Sequence, residues 1–210
     1  MTRHKGKFIT FEGSEGSGKS TQAKLVYRYL KSRYPSVLLI REPGGVKISE
    51  AIRRILLDVR HKEMNAVCET LLYMAARAQL VEEVIAPVLR KGAIVLCDRF
   101  LDSTLVYQGY GHGLPLEFIR SLGKRATQGI VPHLTFIFDI DTRRGLARKT
   151  SRKDRIELRS LDYHNRVRWG YCEIASKEPH RVKLIKVDGN KHEVQKVVRG
   201  FVDDLLRRNN

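Results

Sequence analysis

The chain of 210 residues predicts an α/β protein of three layers, in which a five-stranded parallel sheet is flanked by helices and carries a short lid. Three observations lead there. Five short apolar runs rich in β-branched and aromatic residues recur along the chain, and stretches with apolar residues at helical spacing lie between them. No internal repeat, low-complexity tract or linker rich in Gly, Pro and Ser interrupts the pattern, so residues 1–210 read as a single domain.

Residues 7–11 read as the first strand. Residues 21–33 follow as a helix, with Ala23, Val26, Tyr27 and Leu30 on one face. The second strand is expected at 37–40 and the next helix at 48–58. A long helical pattern then covers 64–90, with Pro87 expected to kink or divide it. The third strand is read at 93–97, a helix at 116–127, the fourth strand at 134–138, one long helix at 143–177, the fifth strand at 181–187 and a last helix at 192–208. The lid falls at about 143–159, where Arg144, Arg148, Arg152, Arg155 and Arg159 would form one stripe on a continuous helix. Like charges so aligned repel, and an anion lying against them would relieve the repulsion; a solvated helix face is the alternative.

Composition narrows the function classes. The chain is 42% hydrophobic and 30% charged, and no apolar run approaches the ~18 residues of a membrane span. The N-terminus is basic, leads directly into the first strand and lacks a secretory pattern, so a cytoplasmic protein is expected. Cys68, Cys97 and Cys172 lack metal-ligand or disulfide spacing and read as packing residues. Forty Lys and Arg against 23 Asp and Glu give a formal charge of +17, which calls for a polyanionic partner, either nucleic acid or a phosphorylated small molecule. No nucleic-acid-binding module accompanies that charge, so nucleic acid is not the expected partner.

Between the first strand and its helix, Gly13-Ser14-Glu15-Gly16-Ser17-Gly18-Lys19-Ser20 fits the phosphate-loop pattern G-x-x-x-x-G-K-[ST], in the strand–loop–helix setting the pattern requires. Glycines let backbone N–H groups turn towards a polyphosphate, Lys19 reaches its terminal phosphates, and the Ser20 hydroxyl can join the shell of a Mg²⁺ ion. This points to nucleotide chemistry on a P-loop NTPase fold, with Gly13 to Thr21 as the expected phosphate-binding segment. In such sheets ligands gather beyond the carboxyl ends of the strands. There, Asp98 at the end of the third strand is placed to order Mg²⁺, and Arg99 to clamp a second phosphate, an ion pair with Asp98 or Asp102 being its structural alternative. Tyr73 and Arg77 stand one turn apart on a helix, where a ring could stack on a base while a guanidinium bonds the base edge.

Together these segments resemble the thymidylate kinase family. The resemblance covers most of the chain: the loop from Phe11 to Gln22, the segment Arg41-Glu42-Pro43-Gly44-Gly45, the stretch Leu72-Tyr73-Met74-Ala75-Ala76-Arg77, and Asp98-Arg99 running on to Tyr107-Gln108-Gly109. It implies transfer of the γ-phosphoryl group of ATP to dTMP, giving dTDP and ADP with Mg²⁺, by a homodimer whose interface includes 64–90. It further implies that Tyr73 stacks on thymine, that Arg77, Thr104 and Gln108 lie at the base, and that Tyr107 packs against the sugar. Arg53 and Arg99 would hold the dTMP phosphate, Pro43 would shape the pocket, and Glu15 would lie near the sugar hydroxyl or the metal waters. Gly16 marks the bacterial subtype, in which the arginine absent from the loop comes from the lid, here Arg148, Arg152 or Arg155. Departures from the family pattern are Tyr73 where Phe is common, Val46 where Thr is frequent, and a short lid without glycine around 149–153. On the residues alone two alternatives stay open: a P-loop kinase acting on a different nucleoside monophosphate, and a basic nucleic-acid-binding protein that uses ATP as a switch.

Overall fold

Strand β1 (Lys7–Gly13) forms the centre of an all-parallel sheet in the computed structural model, which describes residues 6–148 and 153–207. The strand order is β2-β3-β1-β4-β5, with β2 at Val37–Arg41, β3 at Ile94–Asp98, β4 at Leu134–Asp139 and β5 at Val182–Lys186. All five strands fall where the sequence puts them, shifted by at most two residues at an end. Central strands of a parallel sheet are covered on both faces, which is why Phe8, Ile9 and Phe11 are all fully buried. Their side chains alternate: Ile9 and Phe11 pack against α1 (Lys19–Lys31) and the last helix, whereas Phe8 joins Leu80, Ile85 and Val95 on the opposite face.

Register decides where the strands open. Phe11 and Arg41 both pair with Asp98, so the loops after β1, β2 and β3 emerge at one level on the same edge. Helix α2 (Lys47–Leu57) and helix α3 (Ala66–Leu80) then flank that edge.

Two helical expectations need correction. The pattern over 64–90 is divided into α3, a wide-turned π segment at Val81–Ile85, and α4 (Ala86–Arg90). The division precedes Pro87: this residue has no N–H to give, and the wide turn absorbs the mismatch through an Ala86 N–H to Val81 carbonyl bond. The helix expected at 143–177 is two helices, α7 (Thr142–Ala147) and α8 (Leu161–Lys177). Between them, Asp154-Arg155-Ile156-Glu157 closes on itself as a capping box. Asp154 Oδ1 accepts from the Ile156 and Glu157 N–H groups, and Glu157 Oε2 accepts from the Asp154 N–H. Ser160 then caps α8 by accepting from the Tyr163 N–H. The arginine stripe is therefore not formed along one helix, and Arg152 lies outside the described residues.

A further helical stretch comprises α5 (Leu101–Thr104) and a π segment at Leu105–Gly111, directly after β3. It was not read from the sequence, being short and almost wholly buried, so no amphipathic period marks it. The remaining helices, α6 (Leu116–Ala126) and α9 (Lys191–Arg207), lie where expected.

One buried ion pair ties this stretch to the far side of the sheet. Arg181, at the start of β5, places Nη1 2.8 Å and Nη2 3.1 Å from the two oxygens of Asp102 in α5, and Nη1 also reaches the Thr135 hydroxyl at 2.8 Å. Removing one member of such a pair leaves the other charge buried and unpaired. Arg181→Ala is accordingly expected to lower stability by about 3 kcal/mol in urea denaturation, and Asp102→Asn should remove much of that loss when combined with it.

Candidate active site

At the open edge of the sheet a cavity of about 240 Å³ is bounded by residues from the segments that follow β1, β2 and β3 and from the turn before α8. The phosphate loop contributes Glu15, Lys19 and Ser20; the turn after β2 contributes Glu42 and Pro43; α2 and α3 contribute Arg53, Tyr73 and Arg77. Beyond β3 come Asp98, Arg99, Thr104, Tyr107 and Gln108, and the capping-box turn adds Asp154, Ile156 and Glu157. The structure thus brings Glu15, Lys19 and Ser20 of the phosphate loop and the whole predicted acceptor set to one cavity.

The loop is shaped by its glycines at two points. Gly18, in the left-handed conformation at φ 85, forms the N-cap from which α1 starts. At Gly16, φ 68, a Cβ would lie 1.9 Å from the Gly145 carbonyl oxygen, so loop and α7 touch backbone to backbone. Lys19 is buried, and burial followed by the nearby Arg99 lowers its pKa from the usual lysine range. Arg53 is also lowered, by burial and then by Arg41. Both shifts report burial first and a neighbouring guanidinium second, and an anionic ligand beside either cation would favour its charged form.

Arg99 is held more tightly than any other group here. Its backbone has φ 74, a left-handed conformation that costs a non-glycine residue about 1–2 kcal/mol. Its Nη2 donates to Glu15 Oε1 at 2.7 Å and to the Tyr107 hydroxyl at 3.0 Å, and its Nη1 donates to the Ser103 and Tyr171 hydroxyls at 3.0 and 3.2 Å. The Tyr107 hydroxyl donates to Glu15 Oε1 as well, at 2.8 Å, a contact that the resemblance did not imply. Burial opposes the charge on Arg99, but the oxygens of Tyr107, Glu15 and Tyr171 outweigh it and hold the guanidinium well above its ordinary value. Asp98 and Asp102, the expected alternatives for Arg99, are not its partners: Asp102 pairs with Arg181.

On the side of α3, Arg77 is almost fully buried, with Nε 2.8 Å from Glu42 Oε2 and Nη2 3.0 Å from the Phe100 carbonyl. It lines the cavity from a fixed anchor. Tyr73 and Thr104 line it beside Arg77, and Gln108 directs its amide nitrogen to Glu69 at 2.8 Å.

Glu69, buried in α3, gathers the lid exit. Arg155 Nη2 stands 2.6 Å away, Arg159 Nη2 3.0 Å and His112 Nε2 3.3 Å. Burial raises the Glu69 carboxyl, but His112, Arg155, Gln108 and Arg159 outweigh it and bring its pKa down to about 2. Arg155, one of the three arginines that the resemblance offers for the lid, is placed among these groups. Its guanidinium is buried against Glu69 and the Leu56 carbonyl and is not among the cavity-lining groups. Arg148, by contrast, is exposed at the end of α7, with Nη1 3.5 Å from the Gly16 carbonyl oxygen of the phosphate loop.

Ser20 and Asp98 face the same cavity, and Asp98 Oδ1 is buried without a hydrogen-bonding partner. A hydroxyl and an unsatisfied carboxylate oxygen beside a phosphate loop suit a hard, oxygen-seeking cation such as Mg²⁺. Among the described residues no cluster of three or more His, Cys, Asp or Glu forms a site that protein groups alone would fill.

Reading the sequence missed Glu12, Glu42, Glu69, Ser103 and Tyr171. Glu12, Glu42 and Ser103 stood inside quoted segments without being singled out. Glu69 and Tyr171 lay outside them, and both meet their partners only through the tertiary fold.

Comparison with known proteins agrees with this geometry. The family model described as Thymidylate kinase matches residues 11–198. A thymidylate kinase of Symbiobacterium thermophilum is 46% identical over 202 residues, covering 96% of this chain and 94% of the relative. One from Geobacter sulfurreducens is 47% identical over 211 residues, covering 97% and 98%. The crystal structure of thymidylate kinase from Ehrlichia chaffeensis superposes with a TM-score of 0.80 at 34% identity, covering 94% of this chain and 98% of the other.

The Glu69 cluster yields a stability test. Its carboxyl is held below the ordinary 4.5, so its contribution is present above pH 4.5 and is lost as pH falls towards about 2. Glu69→Gln is expected to lower stability by about 3 kcal/mol in urea denaturation near pH 7, with the gap to the wild type narrowing at pH values below 4.5.

Proposed function

Because the chain belongs to the thymidylate kinase family, we infer that the residues around the cavity divide among themselves the binding of ATP, the binding of dTMP and the balancing of charge between them. It is an ATP-dependent nucleoside monophosphate kinase that transfers the γ-phosphoryl group of ATP to dTMP, giving dTDP and ADP. The observation that carries the division of labour is the single cavity shared by Lys19 of the phosphate loop and the set Tyr73, Arg77, Arg99, Thr104, Tyr107 and Gln108.

Phosphoryl transfer needs an oxygen of the acceptor phosphate in line with the γ-phosphorus, and it needs the charge on the transferring group neutralised. The loop from Gly13 to Thr21 cradles the ATP phosphates, with Lys19 at the terminal ones. Arg99 and Arg53 hold the phosphate of dTMP, while Tyr73 stacks on thymine and Arg77, Thr104 and Gln108 bound the base. Pro43 shapes the wall, and Glu15 lies at the sugar, oriented by Arg99 and Tyr107. Ser20 and Asp98 would hold Mg²⁺, which when bound offsets charge on the β- and γ-phosphates. The acceptor phosphate is already ionised near neutral pH, so no strong general base is required. Of the lid arginines, Arg148 and Arg152 supply the charge that Gly16 cannot, and Arg155 serves instead to fix the lid exit to Glu69.

We further propose a cytoplasmic homodimer. Among the described residues no helix is long and apolar enough to cross a membrane. Ile48 and Ile55 of α2 and Val67 and Leu71 of α3 leave 44–51% of their surface exposed, an apolar face suited to a second copy. The +17 charge then serves phosphorylated ligands rather than nucleic acid.

Two measurements test this reading. ADP production from Mg-ATP with dTMP, dUMP, UMP, CMP, AMP or GMP as sole acceptor should be fastest with dTMP; equal turnover with another nucleotide would overturn the base pocket. Lys19→Ala should abolish transfer, and Arg148→Ala should lower kcat about a hundredfold with little change in the KM for dTMP, whereas Arg155→Ala should act mainly on stability.

A further inference from the structure

Behind Arg99 lies a fully buried carboxyl, Glu12 of β1, that no step of the transfer uses. It is surrounded by donors from three elements. The Phe100 N–H donates to Oε1 at 2.7 Å, the Ser103 hydroxyl to Oε2 at 2.5 Å, and the Tyr171 hydroxyl of α8 to Oε2 at 3.0 Å. The same two hydroxyl oxygens accept from Arg99 Nη1.

A hydroxyl carries one proton and two lone pairs, and a guanidinium can only donate. With the protons of Ser103 and Tyr171 directed at Glu12, both oxygens present lone pairs to Arg99. An amide or a protonated carboxyl at position 12 would bring a donor of its own. One hydroxyl proton would then have to turn towards Arg99 or towards the other hydroxyl, 2.9 Å away, and the guanidinium would lose an acceptor. We propose that Glu12 is a positioning residue that sets the orientation of Arg99 towards the acceptor phosphate by fixing the hydroxyl protons of Ser103 and Tyr171. The inference rests on the assignment of Arg99 to the dTMP phosphate.

The charged and titratable groups facing Glu12 are Asp102 of α5, Arg99, Lys19 of α1, Cys97 of β3 and Tyr171 of α8. Burial first, then Asp102, raise the Glu12 carboxyl from 4.5 to about 7, while Arg99 and the Ser103 and Phe100 bonds pull it down. The ordered hydroxyl arrangement therefore belongs to the ionised form, which fills as pH rises through about 7 and empties below it.

Calorimetric titration of the full chain with dTMP and, separately, with thymidine provides the test. At about pH 8, Glu12→Gln is expected to weaken dTMP binding about tenfold and to leave thymidine binding and the KM for ATP unchanged. Tyr171→Phe, which keeps the ring and removes the hydroxyl, should weaken dTMP several-fold in the same selective way, and it carries the test if Glu12→Gln does not fold. The gap between Glu12→Gln and wild type should shrink as pH falls towards about 6, because titration of the dTMP phosphate is common to both. Folded Glu12→Gln or Tyr171→Phe protein that binds dTMP like the wild type, or that loses dTMP and thymidine equally, would overturn the proposal. Arg99→Lys separates the two levels: selective loss of dTMP there, with none in Glu12→Gln, removes only the role of Glu12, whereas no selective loss in Arg99→Lys removes the assignment of Arg99 itself.

Discussion

Arg99 leaves β3 with its backbone in the left-handed region and its guanidinium lodged between the phosphate loop, the helix after β3 and α8. Neither the backbone conformation nor the burial is favourable by itself. Both persist because five donor–acceptor contacts converge: the Arg99 N–H on the Phe11 carbonyl, and the side chain on Glu15, Ser103, Tyr107 and Tyr171. Those partners come from elements far apart in the chain, so the parallel register that brings the ends of β1 and β3 level is what makes the constellation available. Without that register, the loop carboxylate Glu15 would not meet the arginine that orients it.

Charge around the cavity follows a division that physical chemistry can account for. Arginines that brace the walls are matched to buried carboxylates: Arg77 to Glu42, Arg155 and Arg159 to Glu69, Arg181 to Asp102. Such pairs contribute little net stability, but each fixes a geometry, since either partner alone would be a costly buried charge. Lys19 and Arg53 have pKa values lowered chiefly by burial and then by the guanidinium groups of Arg99 and Arg41. Negative charge entering the cavity beside them would favour their charged forms and leave the braced pairs undisturbed.

Much of this was legible from residues alone. The five strands and the phosphate loop announce themselves through local signals: β-branched runs, glycines, and a lysine before a hydroxyl residue. Tyr73, Arg77, Thr104 and Tyr107, which line the cavity, were readable because each lies within a contiguous motif. Where reading failed, the deciding force was either a competing local device or a distant contact. The long helix at 143–177 ignored the capping-box spacing of Asp154 to Glu157 and the cap at Ser160, both visible in the sequence. Helical periodicity outweighed them, and with that error Arg155 was read as part of an arginine stripe on one continuous helix. Glu12 and Tyr171, 159 positions apart, meet only because β1 and α8 pack together, and no local pattern encodes that meeting. The helical stretch from Leu101 to Gly111 escaped for a different reason: burial on all sides removes the amphipathic contrast on which the reading depends.

The backbone contact between Gly16 and Gly145 constrains how kinases of this kind can be rebuilt. With the loop pressed against the root of the lid, neither position has room for a side chain: a Cβ on Gly16 would meet the Gly145 oxygen at 1.9 Å, and one on Gly145 would meet the Glu15 oxygen at 2.4 Å. An arginine could not be grafted into the loop alone, as the other subtype has it, because the lid root would first have to retreat. Loop and lid therefore form one exchangeable cassette, and a chimera that imported one half without its counterpart would inherit a steric conflict where it sought a charge.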